Sequence, residues 1–217
     1  CAPEQIHCIY GTPVNAGTVL PEIQVGEDDR FNVCFAAQKY TPQGRDKGYD
    51  IFIEAMRALL PAVPALHIHI LGNFDETDVF VGDLSEHITF HGSLYIAEMR
   101  EIFSQMHAIV SPNRSNVLAD GAFDGFPTAV VQEASLMGVA MFVADDLQQN
   151  LHYEPDSEIV LISHNPEEIA DKLLYYYNNR QRLTELRGNG MKKTFALSSF
   201  DHHIRRREDI LNKYINN

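Results

Sequence analysis

Apolar residues along the chain fall into short unbroken runs that alternate with stretches of helical spacing. Residues 33–37 (Val-Cys-Phe-Ala-Ala) form the first run, and residues 49–60 then place Ile51, Phe52, Ala55, Met56, Leu59 and Leu60 on one helical face. The alternation continues with a strand at 66–71 closed by Gly72, a polar loop, a strand at 87–90 closed by His91-Gly92, a helix at 96–106 and a strand at 108–110. A loop rich in Asn, Ser, Asp and Gly precedes a helix at 128–137, which Gly138 ends as a C-terminal cap, and a strand follows at 139–144. The last strand is expected at 159–162, with helices after it at 166–177, 180–186 and 200–214. Continuous apolar strands, each followed by a helix, specify a parallel sheet covered on both faces. The fold class is therefore α/β, a doubly wound, Rossmann-like parallel sheet. Residues 1–31, with their prolines, glycines and acidic cluster, are expected to be a linker or edge segment, residues 32–198 the domain proper, and residues 199–217 a C-terminal helix.

Such sheets bind ligands beyond the carboxyl ends of their strands, where loops meet helix N-termini. Four loops qualify, at residues 38–48, 72–84, 91–94 and 111–127. The last carries Asp124-Gly125-Phe126-Pro127 and leads into Thr128. Pro127 suits a first helical position because its missing N–H would be unpaired there anyway. Gly125 lets the chain turn and frees the N–H groups of Phe126 and Thr128 to point outward. The helix N-terminus, with about half a positive charge, would then seat phosphate or sugar oxygens. Asp124 precedes this helix and Glu133 lies inside it, and paired carboxylates accept hydrogen bonds from vicinal hydroxyls. On spacing alone, the competing reading makes Asp124 a helix cap and Glu133 a solvated side chain. Lys47-Gly48, just before the first helix, could set an ammonium over the same ligand.

Composition narrows the partners. The chain has 217 residues, 45% of them hydrophobic and 22% charged, with a formal net charge of −13. So acidic a surface excludes a general nucleic-acid binder. Ten of the seventeen lysines and arginines lie from Lys172 onward, whereas Lys39, Arg45 and Lys47 cluster within nine positions of the otherwise acidic remainder. A small cationic spot of that kind suits a compact anion. The three cysteines, Cys1, Cys8 and Cys34, fit neither a disulfide framework nor a four-thiolate zinc site, and a reducing cytoplasm is expected. No run approaches the roughly 18 apolar residues of a membrane span. The chain opens at Cys1 rather than at a methionine and is expected to be a piece of a longer protein.

Several segments taken together resemble the donor-binding, carboxy-terminal domain of the group 1 glycosyltransferases (family 4, GT-B fold). They are residues 35–55, with Lys39 and Lys47-Gly48; 68–73 (Ile-His-Ile-Leu-Gly-Asn); 88–92 (Ile-Thr-Phe-His-Gly); 108–112 (Ala-Ile-Val-Ser-Pro); and Asp124-Gly-Phe-Pro with Glu133-Ala-Ser-Leu-Met-Gly138. The resemblance covers about residues 32–190, with every landmark in order. It implies a UDP- or GDP-hexose donor, transfer with retention of anomeric configuration, and neither a bound metal nor another cofactor. Lys47 matches the family's diphosphate-binding lysine, and Lys39 is the nearest match for a second cation that is usually arginine. Asp124 and Glu133 match the two acids that hold the hexose and the ribose, at a spacing one residue longer than the family's. Gly125, Phe126, Pro127 and Thr128 form the turn that cradles the donor, and His91-Gly92-Ser93 faces the base. The glycan or lipid-linked acceptor, and often a catalytic histidine, would come from an amino-terminal domain for which these residues leave no room. Work in the cytoplasm, with peripheral contact at the inner face of a membrane, is the corresponding expectation.

The remaining signals are weaker. His67 and His69 share a strand face but lack a third metal ligand of suitable spacing, and Asp201-His202-His203 is likewise unsupported. The sequence lacks G-x-G-x-x-G, G-x-x-x-x-G-K-[ST] and G-x-S-x-G, which lowers nicotinamide, P-loop and serine-hydrolase readings. Tyr175-Tyr176-Tyr177 reads as packing, and Arg205-Arg206-Arg207 as a solvated or interdomain face. Two readings from other classes stay open: a GT-B nucleotide-sugar epimerase or hydrolase, told apart by products formed without acceptor, and a non-enzymatic α/β interaction module, which would bind no nucleotide.

Overall fold

The computed structural model describes residue 7, residues 20–23 and residues 30–215. Apart from residues 7, 20–23, 30 and 31, the expected N-terminal linker lies outside the described residues, as do Cys1 and Cys8. Six strands form one parallel sheet: β1 (Phe31–Ala36), β2 (Leu66–Leu71), β3 (Ile88–Gly92), β4 (Ala108–Ser111), β5 (Ala140–Ala144) and β6 (Val160–Ile162). Their order is β3-β2-β1-β4-β5-β6. The helices are α1 (Tyr49–Leu59), α2 (Ile96–Phe103), α3 (Ala129–Leu136), α4 (Pro166–Asn178), α5 (Arg180–Ser198) and α6 (Phe200–Ile215).

Burial on both faces explains why the strands read as unbroken apolar runs. Phe35, Ile68, Ile70, Val110 and Phe142 pack with Phe52, Ile53 and Met56 of α1 and Ile169 and Leu173 of α4. The opposite face sets Cys34, Ala36, Leu71, Ile109, Met141 and Val143 against Phe103 of α2 and Val131 and Ala134 of α3. Each such large side chain contributes roughly 1.5–3 kcal/mol when fully buried. Burial also pushes the Cys34 thiol far above its ordinary range, so it stays protonated.

The direction of strand addition reverses at β1, which pairs with β2 on one side (Phe31↔Leu66 to Ala36↔Leu71) and with β4 on the other (Val33↔Ala108, Cys34↔Ile109). The loops leaving β1 and β4 therefore part at their carboxyl ends and open a crevice. Gly48 brings them back together at its wall. It has φ 69°, and a Cβ there would overlap the Pro112 carbonyl of the loop after β4.

Three expectations are corrected. The helix expected at 180–186 runs from Arg180 to Ser198. Gly190 lies inside this longer helix and serves close approach, since a Cβ there would lie 2.5 Å from the Glu158 carbonyl oxygen. Pro127 does not open α3: it follows a cis peptide from Phe126, Thr128 is the N-cap, and the helix begins at Ala129. The third strand continues through His91 to Gly92, where His91 stacks on His69 of β2. Gly138 does cap α3 as expected: at φ 77° it donates its N–H to the Ser135 carbonyl at 2.9 Å, and the buried Arg187 Nε donates to its own carbonyl at 2.5 Å.

Candidate functional site

The crevice holds a cleft of about 340 Å³, walled by the loops after β1, β2, β3 and β4 and by the first turn of α3. Of the sequence-derived candidates, Lys47, Asp124, Thr128 and Gly92 line it. Lys47 comes from a short 3₁₀ segment, Pro42–Lys47, that ends at the left-handed Gly48. This turn buries the lysine to 5% exposure, and its Nζ donates to Asp124 Oδ2. Asp46 Oδ2 lies 3.4 Å from the same ammonium, and the Tyr40 ring centroid 4.6 Å from it. Asp124 is therefore an ion-pair partner across the cleft and not the cap of α3. Asn113 steadies it, donating from Nδ2 to the same Oδ2 at 3.2 Å, while its own Oδ1 accepts from Ser111 Oγ at 3.2 Å.

The first turn of α3 is open toward the cleft. Thr128, Ala129 and Val130 line the wall, and the Thr128 hydroxyl makes no capping hydrogen bond. Its Oγ1 is buried without a hydrogen-bond partner among the described residues, and such a group is ordinarily satisfied by something. With no side chain capping them, the N–H groups of this turn and the helix dipole favour an anion. Gly125 and Phe126 shape the turn beneath, with Gly125 at φ 86° and Phe126 buried. Gln132, also buried, fixes it by donating from Nε2 to the Pro127 carbonyl at 3.0 Å and accepting from Ser198 Oγ at 3.1 Å.

Gly125, Phe126 and Pro127 lie outside the lining, in the turn beneath it, and two charged candidates also stand apart. Glu133 sits deeper along α3 at 8% exposure, where its Oε2 accepts from Arg100 Nε at 3.2 Å and Nη2 at 3.0 Å. Lys39 turns its ammonium to Asp78 Oδ1 at 2.6 Å, while its backbone N–H donates to Asn73 Oδ1 at 2.6 Å. Gly92 has φ 69° and faces open space, so nothing crowds the cleft where Ser93, Leu94 and Met99 continue it.

Sequence reasoning missed Tyr40, Asn113 and Arg100. Asn113 directly follows the strand-ending Ser111-Pro112, which marks its position, but neither Arg100 nor Tyr40 carries a local signal, because each acquires its partner only through the fold. Beside the cleft, His69 Nδ1 and His91 Nε2 lie 3.0 Å apart and share one hydrogen bond. Burial, reinforced by His91, His67 and Arg30, lowers the His69 pKa to about 4, and burial lowers that of His91 as well. Neither adds positive charge to the cleft wall at neutral pH.

The sequence profile of the glycosyl transferase-like family matches residues 45–209, a span that includes Lys47, Asp124 and Glu133. The chain belongs to that family. Solved structures of glycosyltransferases share its fold. TarM of S. aureus, as a point mutant in complex with fondaparinux, alpha-GlcNAc-glycerol and UDP, superimposes with a TM-score of 0.69 at 16% identity, over 89% of this chain and 38% of that one. HepE (Alr3699) of Anabaena, in complex with UDP and glucose, gives 0.68 at 14% identity, over 85% of this chain and 49% of that one. The C-terminal domain of the group 1 glycosyl transferase LpcC from Francisella tularensis gives 0.64 at 17% identity, over 78% and 87%. This glycosyl transferase-like chain thus spans less than half the length of the first two and most of the isolated LpcC domain. No curated protein matches the sequence. None of the described helices is long and apolar enough to cross a membrane.

Proposed function

We propose that the chain is the donor-binding domain of a retaining glycosyltransferase, which transfers a hexose from a nucleoside-diphosphate sugar to a glycan or lipid-linked acceptor. The observation that carries this reading is the meeting of a buried lysine, a carboxylate and an uncapped helix N-terminus in one cleft at the reversal of strand order. Breaking a glycosyl–phosphate bond leaves a diphosphate whose charge grows in the transition state, and preorganised cations and helix dipoles lower that barrier. Lys47 and the first turn of α3 supply both. In this reading they meet the leaving-group charge without a metal. Asp124 and Glu133 accept hydroxyls of the hexose and the ribose, and the side of the cleft at Gly92 and Ser93 receives the base. Lys39 joins only by exchanging Asp78 for a phosphate.

UDP is the first nucleotide to test, because it occupies the TarM and HepE complexes. Acceptor binding is assigned to a part of the enzyme outside these 217 residues, since the chain spans only 38% of TarM and 49% of HepE. We place the activity in the cytoplasm. Calorimetric titration with UDP, GDP and ADP tests the reading. One of the three should bind saturably, and Lys47→Ala should weaken it ten- to a hundredfold, as loss of a charged hydrogen bond worth about 1.5–3 kcal/mol requires. No saturable binding up to millimolar nucleotide would overturn it.

A further inference from the structure

Among the described residues that line the cleft, Lys47 is the one basic side chain and Asp124 the one acidic side chain, and they are paired with each other. The lining side chains therefore carry no net formal charge, and Asp46 adds a carboxylate behind the lysine, although the proposed ligand is an anion. An incoming phosphate competes with Asp124 for the ammonium. What then becomes of Asp124 depends on the ligand. Its carboxylate keeps the Asn113 amide at 3.2 Å, and its side chain is 39% exposed. Beside a bare diphosphate it is left next to a like charge. Beside a diphosphate that carries a hexose it regains donors, because the sugar hydroxyls arrive with the phosphate.

From this exchange we propose that Asp124 is a specificity-determining residue: its competition for Lys47 makes the cleft discriminate against bare nucleoside diphosphates and inorganic anions in favour of glycosylated ones. The inference rests on the reading of this cleft as a nucleotide-sugar site. It assigns Asp124 a second role beyond touching the hexose, since it penalises the leaving product as well as welcoming the donor. Asp46, 3.4 Å from Lys47 and held by Thr41, does not compete in the same way. It is buried at 6% exposure, lies outside the cleft lining, and keeps the lysine paired when Asp124 is neutralised.

The test is a pair of calorimetric titrations on the full 217-residue chain, with UDP against UDP-glucose and GDP against GDP-mannose, repeated for Asp124→Asn, Asp124→Ser and Asp124→Glu. Inorganic pyrophosphate serves as the sugar-free and base-free probe. Both uncharged variants should bind the bare diphosphate and pyrophosphate about tenfold more tightly than the unmodified chain, in keeping with the weight of one charged interaction. They should bind the sugar nucleotide no more tightly, so the ratio of the two dissociation constants moves by at least about tenfold. Asp124→Glu, which keeps the charge, should leave the affinities for bare diphosphate and pyrophosphate within about threefold of the unmodified chain. Circular dichroism confirms that each variant is folded, and tighter binding of both the bare diphosphate and pyrophosphate by either folded uncharged variant supports the proposal, since loss of a hexose contact alone would not tighten them. Unchanged or weaker binding of bare diphosphate and pyrophosphate by folded variants of a chain that binds nucleotide overturns this inference and leaves the donor-site reading standing. Failure of the unmodified chain to bind any of the probes overturns both.

Discussion

Arg100 reaches from α2 to Glu133 of α3 with two N–H groups on one carboxylate oxygen. The pair fixes the buried Glu133 carboxylate behind the cleft lining. Arg100 is a third exposed, so the pair is worth only about 1 kcal/mol of stability. Arg100→Met should accordingly lower the melting temperature by about 2–4 °C. If Glu133 holds the ribose, the same variant should also weaken nucleotide binding several-fold and reduce the preference for UDP over 2′-deoxy-UDP. A preference equal to that of the unmodified chain would remove Arg100 from the site. His69 carries a pH prediction. Its folded pKa, about 4, lies below the ordinary 6.5, so below pH 6.5 the unfolded chain takes a proton that the folded chain refuses. The stability due to its neutral form is complete above about pH 6.5 and is lost progressively as the pH falls toward 4. Thermal melts of His69→Gln should therefore lose less stability between about pH 7 and pH 5 than those of the unmodified chain. Identical losses would contradict the assignment.

At the scale of elements, the strands were the most legible feature, because burial on both faces leaves an uninterrupted apolar run that needs no partner to be recognised. α1 and α4 were nearly as clear, since each faces the sheet on one side and water on the other. The ends of elements were less so. Gly190 has the composition of a helix stop, and only the nearness of Glu158 explains why the chain needs a glycine inside α5. Gly190→Val should cost about 1–3 kcal/mol by overpacking that contact, read as a drop in the urea midpoint with an unchanged slope. A neutral substitution would contradict the close-approach account. The candidate site divides in the same way. Lys47, Asp124 and Thr128 were legible because loops that end parallel strands converge by topology. That Lys47 and Asp124 would neutralise each other, that Lys39 would turn to Asp78 and that Arg100 would find Glu133 depend on side-chain placement across long sequence separations, which no local pattern encodes.

At the scale of the whole molecule, the reversal at β1 does the organising. It parts the loops after β1 and β4, and Gly48 against Pro112 then closes one wall tightly enough to bury a lysine at the edge of a ligand-sized cleft. Tyr40, largely exposed, stands over that lysine in the same wall. With acceptor binding assigned elsewhere, the chain by itself should bind donor and show little or no transfer to added glycans. Efficient transfer by these residues alone would contradict that division of labour. The most direct test of the central claim is a crystal structure of the chain with the nucleoside diphosphate that it binds. The account predicts the two phosphates between Lys47 Nζ and the N–H groups of Ala129 and Val130, with Lys47 released from Asp124. A nucleotide bound elsewhere, or phosphates in the cleft with the Lys47–Asp124 pair intact, would contradict it.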